Sequence, residues 1–321
     1  SNTITILAAA GNGHGGVPGN GAIAYYFASS SLYGVRVNDA LYVNFEGFTL
    51  DLYNANNSNP GIYGAVTSVV NLDSMIIRSF TTVGEGGLGF QFLSGNAAKS
   101  SLKNSLIVNL TGNKGGSKGI NNISSIHNLD VTNVTVSGYG TGVQLLGNGD
   151  ILARNNAIAD CDTCFGGAAG NYVTGSSNNR ATDGFVPGTD SAIGLSVADG
   201  VDFTAPSTGD WTPVDGGLLF GTGIDLSGEF TNDISGLTRT VPWDIAAYKG
   251  GGAAPVIPTA TINLTNSSGT PQANLTGLKW AWFDEVTPDL LTTPTDQGAT
   301  GTTDAQGVFT VTLNNTALVS G

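Results

Sequence analysis

The stretch NLDVTNVTVSGYGTGVQLLGNGDILARNNAIADC, Asn128 to Cys161, decides the fold. Its valines, isoleucines and leucines alternate with polar residues, and each short run stops at glycine, asparagine or aspartate. Alternation with a period of two is the pattern of a strand with one buried face, and those stops are turn formers. Working outward, the same phrase returns as VNFEGFTLDLYN from Val43, VVNLDSMIIRSF from Val69 and SLKNSLIVNLTGN from Ser101. The interval is about 25 to 30 residues, which lies in the range of repeat architectures. In a coil of this kind every second side chain points inward and stacks on its equivalent one turn on. Asparagine tolerates left-handed backbone geometry, so Asn44, Asn71, Asn104, Asn128 and Asn155 are expected at the turns. A sandwich of hairpins would instead need strands roughly 8 to 12 residues apart with Asn-Gly turns between matched strands. Asn12-Gly13, Asn20-Gly21 and Asn148-Gly149 join no such pairs.

Composition agrees with a turn-rich, strand-rich protein. Of 321 residues 40% are hydrophobic and only 11% charged, too apolar for a disordered chain, and the 48 glycines follow no three-residue period. The net charge is -13 and the 11 lysines and arginines are scattered singly, so no basic stripe awaits phosphates and nucleic acid is not an expected partner. No apolar run reaches the roughly 18 residues of a membrane span, and no basic leader opens the chain, so no membrane partner is expected. Cys161 and Cys164 form a CxxC without a thioredoxin-like context or further zinc ligands, since His14 and His127 stand far off. They read as small core or turn residues, with a local disulfide as the alternative.

The phrases above resemble the right-handed parallel β-helix of the pectate-lyase-like superfamily, whose repeats commonly run N.TI.NN.I.NC..G. Many members end in a segment of the kind SPAIDAG....D..G..R....DIGAYE. Phe203 to Gly250 is similar in order: Asp233-Ile234-Ser235-Gly236, then Arg239, then Asp244-Ile245-Ala246-Ala247-Tyr248, with Ala246 where glycine is usual and Lys249 where glutamate is usual. The resemblance implies an all-β fold, a right-handed parallel β-helix over residues 31–250 with an N-terminal cap over residues 1–30. The closing segment is expected to cover the open end of the stack, with Trp243, Ile245 and Tyr248 as lid residues. The glycine-rich start, Gly11 to Gly21, lacks the Gly-Lys-Ser/Thr of a phosphate loop and reads as a flexible or contact-making loop.

Residues 251–258, GGAAPVIP, have the composition of a linker. Residues 259–321 resemble the small Ig-like modules of tailed-phage virion proteins and bacterial surface proteins, in SSGTPQANLTGLKWAWFD and TTDAQGVFTVTL. An Ig sandwich has about seven strands, and this segment supplies about five. The shortfall is read as a chain that continues past Gly321; completion by a neighbour's strand is the alternative.

Hydrolase or lyase chemistry on such a solenoid needs clustered carboxylates on one exposed face. The candidates are Asp160 and Asp162, with Asp130, Asp150 and Arg154 one coil away, because equivalent side chains in adjacent coils lie about 4.8 Å apart. Aspartates also form solvated turns, which is the preferred reading of these four. Tyr42 and Phe45 near the N-terminus and Phe283 in the appendage are candidate contact residues; Tyr42 and Phe45 differ in parity, so they face opposite sides. No cofactor and no metal is expected. The combined resemblance implies a non-enzymatic structural protein of a tailed-phage virion, a capsid decoration or exposed appendage. Its implied partners are phage capsid or tail proteins and host-surface glycans; viral β-helices often trimerise, but no coiled-coil heptad is present here to impose threefold symmetry, so the oligomeric state is left open between a monomer and a homo-oligomer such as a trimer. A tailspike-like polysaccharide depolymerase and a bacterial surface adhesin are the alternatives.

Overall fold

A computed structural model describes residues 3–8, 13–18, 21–28, 35–37, 42–54, 60–66, 68–80, 88–94, 99–123, 128–147, 149–251, 259–263 and 308–312. The chain divides into two compact units, Ser1–Ala254 and Pro255–Gly321.

The first unit is built on three parallel sheets that the chain visits in turn. The first sheet holds Thr3–Leu7, Tyr42–Glu46, Val69–Asp73, Lys99–Lys103, Asn128–Thr132 and Ile151–Arg154. The second holds Ile23–Ala28, Thr49–Asn54, Ile76–Ser79, Leu106–Asn109, Thr135–Ser137 and Ala157–Ala159, extended by Arg180–Ala181 and Ala192–Ile193. The third holds Val35–Val37, Pro60–Val66, Leu88–Ser94, Lys118–Asn122, Thr141–Leu145 and Thr163–Gly166. Each full turn adds one strand to every sheet, an all-β arrangement consistent with a parallel β-helix. Helix among the described residues is confined to two three-residue 3-10 turns, Ala169–Asn171 and Pro206–Thr208. In-register partners confirm the winding: 27 residues separate Tyr42 from Val69, 30 separate Asn71 from Ser101, and 22 separate Leu129 from Ile151. The first turn is longer, with 39 residues between Thr3 and Tyr42.

The apolar alternation becomes ladders. On the first sheet Ile6, Phe45, Leu72, Leu102, Val131 and Ala153 are successive partners. Leu50, Ile77, Ile107, Val136, Ile158 and Ala181 form the ladder of the second sheet, and Val35, Ile62, Phe90, Ile120, Val143 and Phe165 that of the third. Most of these side chains belong to one buried cluster. A fully buried aliphatic side chain contributes about 1.5–3 kcal/mol relative to exposure. Stacking like on like lets each turn bury its apolar face against the turns on either side.

The corner between the first and second sheets is set by one left-handed residue per turn. Gly47 (φ 77°), Ser74 (52°), Asn104 (45°), Asn133 (51°), Asn155 (54°) and Asn178 (52°) occupy it in successive turns. Asn104 and Asn155 are therefore where the pattern predicts them. Asn44, Asn71 and Asn128 are not: they lie within strands on the outward face of the first sheet, where Asn71 Nδ2 donates to Asn44 Oδ1 at 3.0 Å. Three residues after each of Asn44 and Asn71 come Gly47 and Ser74, the actual corner residues.

Within residues 1–30, Thr3–Leu7 and Ile23–Ala28 are the first strands of their sheets and pair in parallel with the following turn. One further expectation is corrected: the closing segment does not lie as a lid on the stack. It runs along the flank, over the outer face of the second sheet, where Leu195, Phe203, Trp211, Leu219, Ile234 and Ile245–Tyr248 pack on Ile76, Leu106, Val108, Ala157 and Ala159. The only antiparallel strand pair described in this unit, Phe203–Ala205 with Asp210–Pro213, belongs to this segment.

In the second unit the described residues are two strands, Thr259–Asn263 and Val308–Thr312, paired antiparallel with Thr259 opposite Thr312. The remainder of the Ig-like reading, including Phe283, falls outside the described residues.

Candidate functional site

The four candidate acids are divided between two parts of the solenoid. Asp130 sits in a first-sheet strand opposite Leu152 of the next turn, and Asp150 directly precedes the following first-sheet strand. Asp160 and Asp162 lie at the corner between the second and third sheets. In register, Ser137 stands opposite Ala159, so Asp160 occupies the position that Gly138 holds one turn earlier. Both are left-handed, with φ of 82° at Gly138 and 49° at Asp160, and aspartate is among the few side chains that accept this geometry.

Three of the four acids lie within 3.9 Å of a lysine ammonium. Asp160 accepts from Lys114 Nζ at 2.7 Å while its backbone N–H donates to Thr182 Oγ1, and Asp162 stands 3.9 Å from the same ammonium. The hydrogen bond to Asp160 raises the Lys114 pKa. Asp130 pairs with Lys99 at 2.6 Å. Asp150 is exposed, and its N–H donates to Asn128 Oδ1. Arg154 shares the outward face of the first sheet with Asp130 but pairs elsewhere: it forms a two-pronged pair with Glu229 of the closing segment, with Nη2 2.8 Å from Oε2, and that bond holds the Glu229 carboxyl below its ordinary range. A paired carboxylate and ammonium on the surface stabilise little.

The aromatic candidates separate as their parity requires. Tyr42 is 38% exposed on the outward face of the first sheet. Phe45 is 2% exposed, packed edge-on against Phe48 inside the coil, so it is a core residue and not a contact residue.

The cysteines answer to packing as well. Gly61, Gly89, Gly119 and Gly142 are equivalent positions in the third sheet, and Cys164 takes that place in the next turn. A Cβ on Gly142 would stand 2.8 Å from the Cys164 carbonyl and 3.2 Å from Cys161 Sγ. Cys161 corresponds to Tyr139 of the preceding turn, so a smaller side chain there makes room for one at Cys164. Both thiols are free and buried. Cys161 Sγ donates to Ala159 O, and the neighbouring Cys161 thiol lowers the pKa of Cys164. The same pairing with Cys164, together with burial, pushes Cys161 upward.

The residues that carry the closing motif are buried and structural. Asp233 accepts from Ser235 N, Ser235 Oγ, Leu237 N and Lys249 N at 2.7–2.9 Å. Asp244 accepts from Gly221 N and Gly250 N. Between them Arg239 donates through Nη2 to the carbonyls of Ala246 (2.9 Å) and Ala247 (2.8 Å), and packs beside the Trp243 ring. Burial lowers Arg239 to about 10, against the opposing pull of the two aspartates, so it is charged at neutral pH. Asparagines of the sheet corner fasten the segment: Asn133 Nδ2 donates to Asp244 O and Ala246 O, and Asn155 O accepts from Ala246 N. Ala246 itself has φ 101°, a left-handed geometry that favours glycine.

Among the described residues no group of three His, Cys, Asp or Glu is arranged to hold a metal ion. Compared with protein-family models, curated proteins and solved structures, the chain matches none.

Proposed function

We propose that this chain is a structural component of a tailed-phage particle, not an enzyme: a right-handed β-helix of the pectate-lyase-like kind that docks by its rigid flank, carrying an Ig-like module for glycans or neighbouring proteins. The hand follows from the near-universal right-handedness of parallel crossovers. The observation that carries the reading is the use of the carboxylates. Asp130 and Asp160 are neutralised by lysines, and the buried Asp233 and Asp244 are consumed by backbone N–H groups. What the chain offers instead is an outward face on the first sheet, ruled by polar ladders such as Thr5, Asn44, Asn71 and Ser101. A surface held rigid by stacked turns suits binding by shape.

The test is location. Mass spectrometry of purified virions should recover the chain in stoichiometric amount, and imaging of intact particles should place it on the head or tail. Its absence from particles, or turnover of a host surface polysaccharide that is lost on replacing Asp160 and Asp162, would overturn the proposal in favour of a depolymerase. Sedimentation of the purified protein reads its oligomeric state.

A further inference from the structure

His14 lies where the start of the chain meets its closing segment. It is 3% exposed. Its Nδ1 accepts the Gly16 N–H at 2.8 Å, which fixes the neutral tautomer, and Nε2 then donates to Ser74 O at 2.6 Å. The backbone N–H of His14 reaches Gly47 O. The imidazole thus spans from the N-terminal loop to a left-handed corner two turns further along the stack. The next residues of the loop grip the closing segment: Gly16 O accepts the buried Tyr248 hydroxyl at 2.5 Å. Gly16 is also so close to Ser235 that a Cβ there would stand 2.9 Å from its Cα.

We propose that this contact is an acid-released clasp: protonation of His14 at Nδ1 sets two donors against each other, frees Gly16, and lets go of Tyr248 and the end of the closing segment. Charged neighbours do not offset that effect. On the corner beneath, Asp73 accepts from Ser74 Oγ and pairs with Lys103 at 3.0 Å. Beside Gly47, Glu46 is exposed on the outward face. From the closing segment, Asp233 is occupied by four donors. Tyr248 is held neutral by burial, and Arg239 points to the carbonyls of Ala246 and Ala247. Burial is the larger influence on His14 and lowers its pKa below 6.5, with the bond to Ser74 opposing. The sign follows. A histidine whose folded pKa is depressed binds more protons in the open state, so closure is fully stabilised above about pH 6.5 and weakens as pH falls toward the folded value.

The experiment is amide hydrogen exchange read by mass spectrometry on the intact chain from pH 7.5 to 4.5, corrected for intrinsic exchange rates. Protection of residues 13–18 and 244–250 should fall about tenfold per pH unit below about 6.5 and level off below the folded pKa, while Leu106–Asn109 stays protected. In His14→Gln the slope should vanish, whether the clasp is held or lost at every pH. In Tyr248→Phe the loop should keep its slope while protection of residues 244–250 no longer follows pH. Flat protection in the unsubstituted chain, or an unchanged slope in His14→Gln, would overturn the clasp.

Discussion

Replacing Arg239 by methionine keeps the length of the side chain and removes its charge and donors. Two strong bonds disappear, those to the carbonyls of Ala246 and Ala247 at 2.9 and 2.8 Å, while the contacts to Asp244 O and Asn104 Oδ1 at 3.4 Å are too long to count for much. Hydrogen bonds to a charged group contribute about 1.5–3 kcal/mol each, which sets a loss of about 3–6 kcal/mol. Neither carbonyl is orphaned, because Asn133 Nδ2 still serves Ala246 and the Ile234 N–H still serves Ala247. Methionine also retains packing against Trp243, so the lower half of the range, about 4 kcal/mol, is expected. The loss is local to the closing segment. Native-state hydrogen exchange should show protection of residues 233–237 and 244–250 falling by about three decades, since about 1.4 kcal/mol is a factor of ten. Strand Leu106–Asn109 should change far less in its inward-facing ladder, and Lys249→Met, which removes a cation from the same segment but none of these bonds, is the control. Protection within a factor of five of the unsubstituted chain would refute the idea that Arg239 fastens the flank.

Ala246→Gly should be less costly than Ala247→Gly by about 1–3 kcal/mol in urea denaturation, because both lose a buried methyl but only Ala246, at φ 101°, sheds backbone strain. Asp51 and Arg78 form a buried pair, with Nε to Oδ1 2.7 Å and Nη2 to Oδ2 2.6 Å, so Asp51→Asn should cost about 3–5 kcal/mol. The double substitution Asp51→Leu with Arg78→Met should recover most of that, as a double-mutant cycle would show. Gly119→Ala forces a Cβ to within 2.8 Å of Gly142 O and against Val136, an overpacking expected to cost about 1–3 kcal/mol, measured as a lowered thermal midpoint.

The inward ladders were legible because strand geometry writes them as alternation: Val131 and Val136 could be placed inside from sequence alone. The corner asparagines were half legible. Asn104 and Asn155 sit where the backbone turns left-handed, but Asn44 and Asn71 serve the outward face three residues earlier, and composition does not distinguish a turn amide from a ladder amide. The flank position of the closing segment left a signal that alternation hides. Ile76-Ile77 and Leu106-Ile107-Val108 are consecutive apolar residues, the mark of a strand covered on both faces, and the outward members Ile76, Leu106 and Val108 lie under the segment. The aspartates were legible as turn formers at Asp160, whereas the lysines that neutralise Asp130 and Asp160 lie 31 and 46 residues upstream, beyond any local pattern.

A stack in which each turn touches only its neighbours unfolds piecemeal and gains stability turn by turn. The flanking segment changes that, because Ala246 and Asp244 reach Asn155 and Asn133, Arg239 reaches toward Asn104, and Tyr248 reaches Gly16 across 232 residues of chain. Such distant contacts close late, after the loops between them have been paid for in entropy. The coils can wind in the order of synthesis, but Ile76, Leu106 and Val108 stay bare until the last fifty or so residues of the unit have emerged. The nascent rod therefore passes through a sticky stage, and the final brace turns a row of separable rungs into one cooperative body.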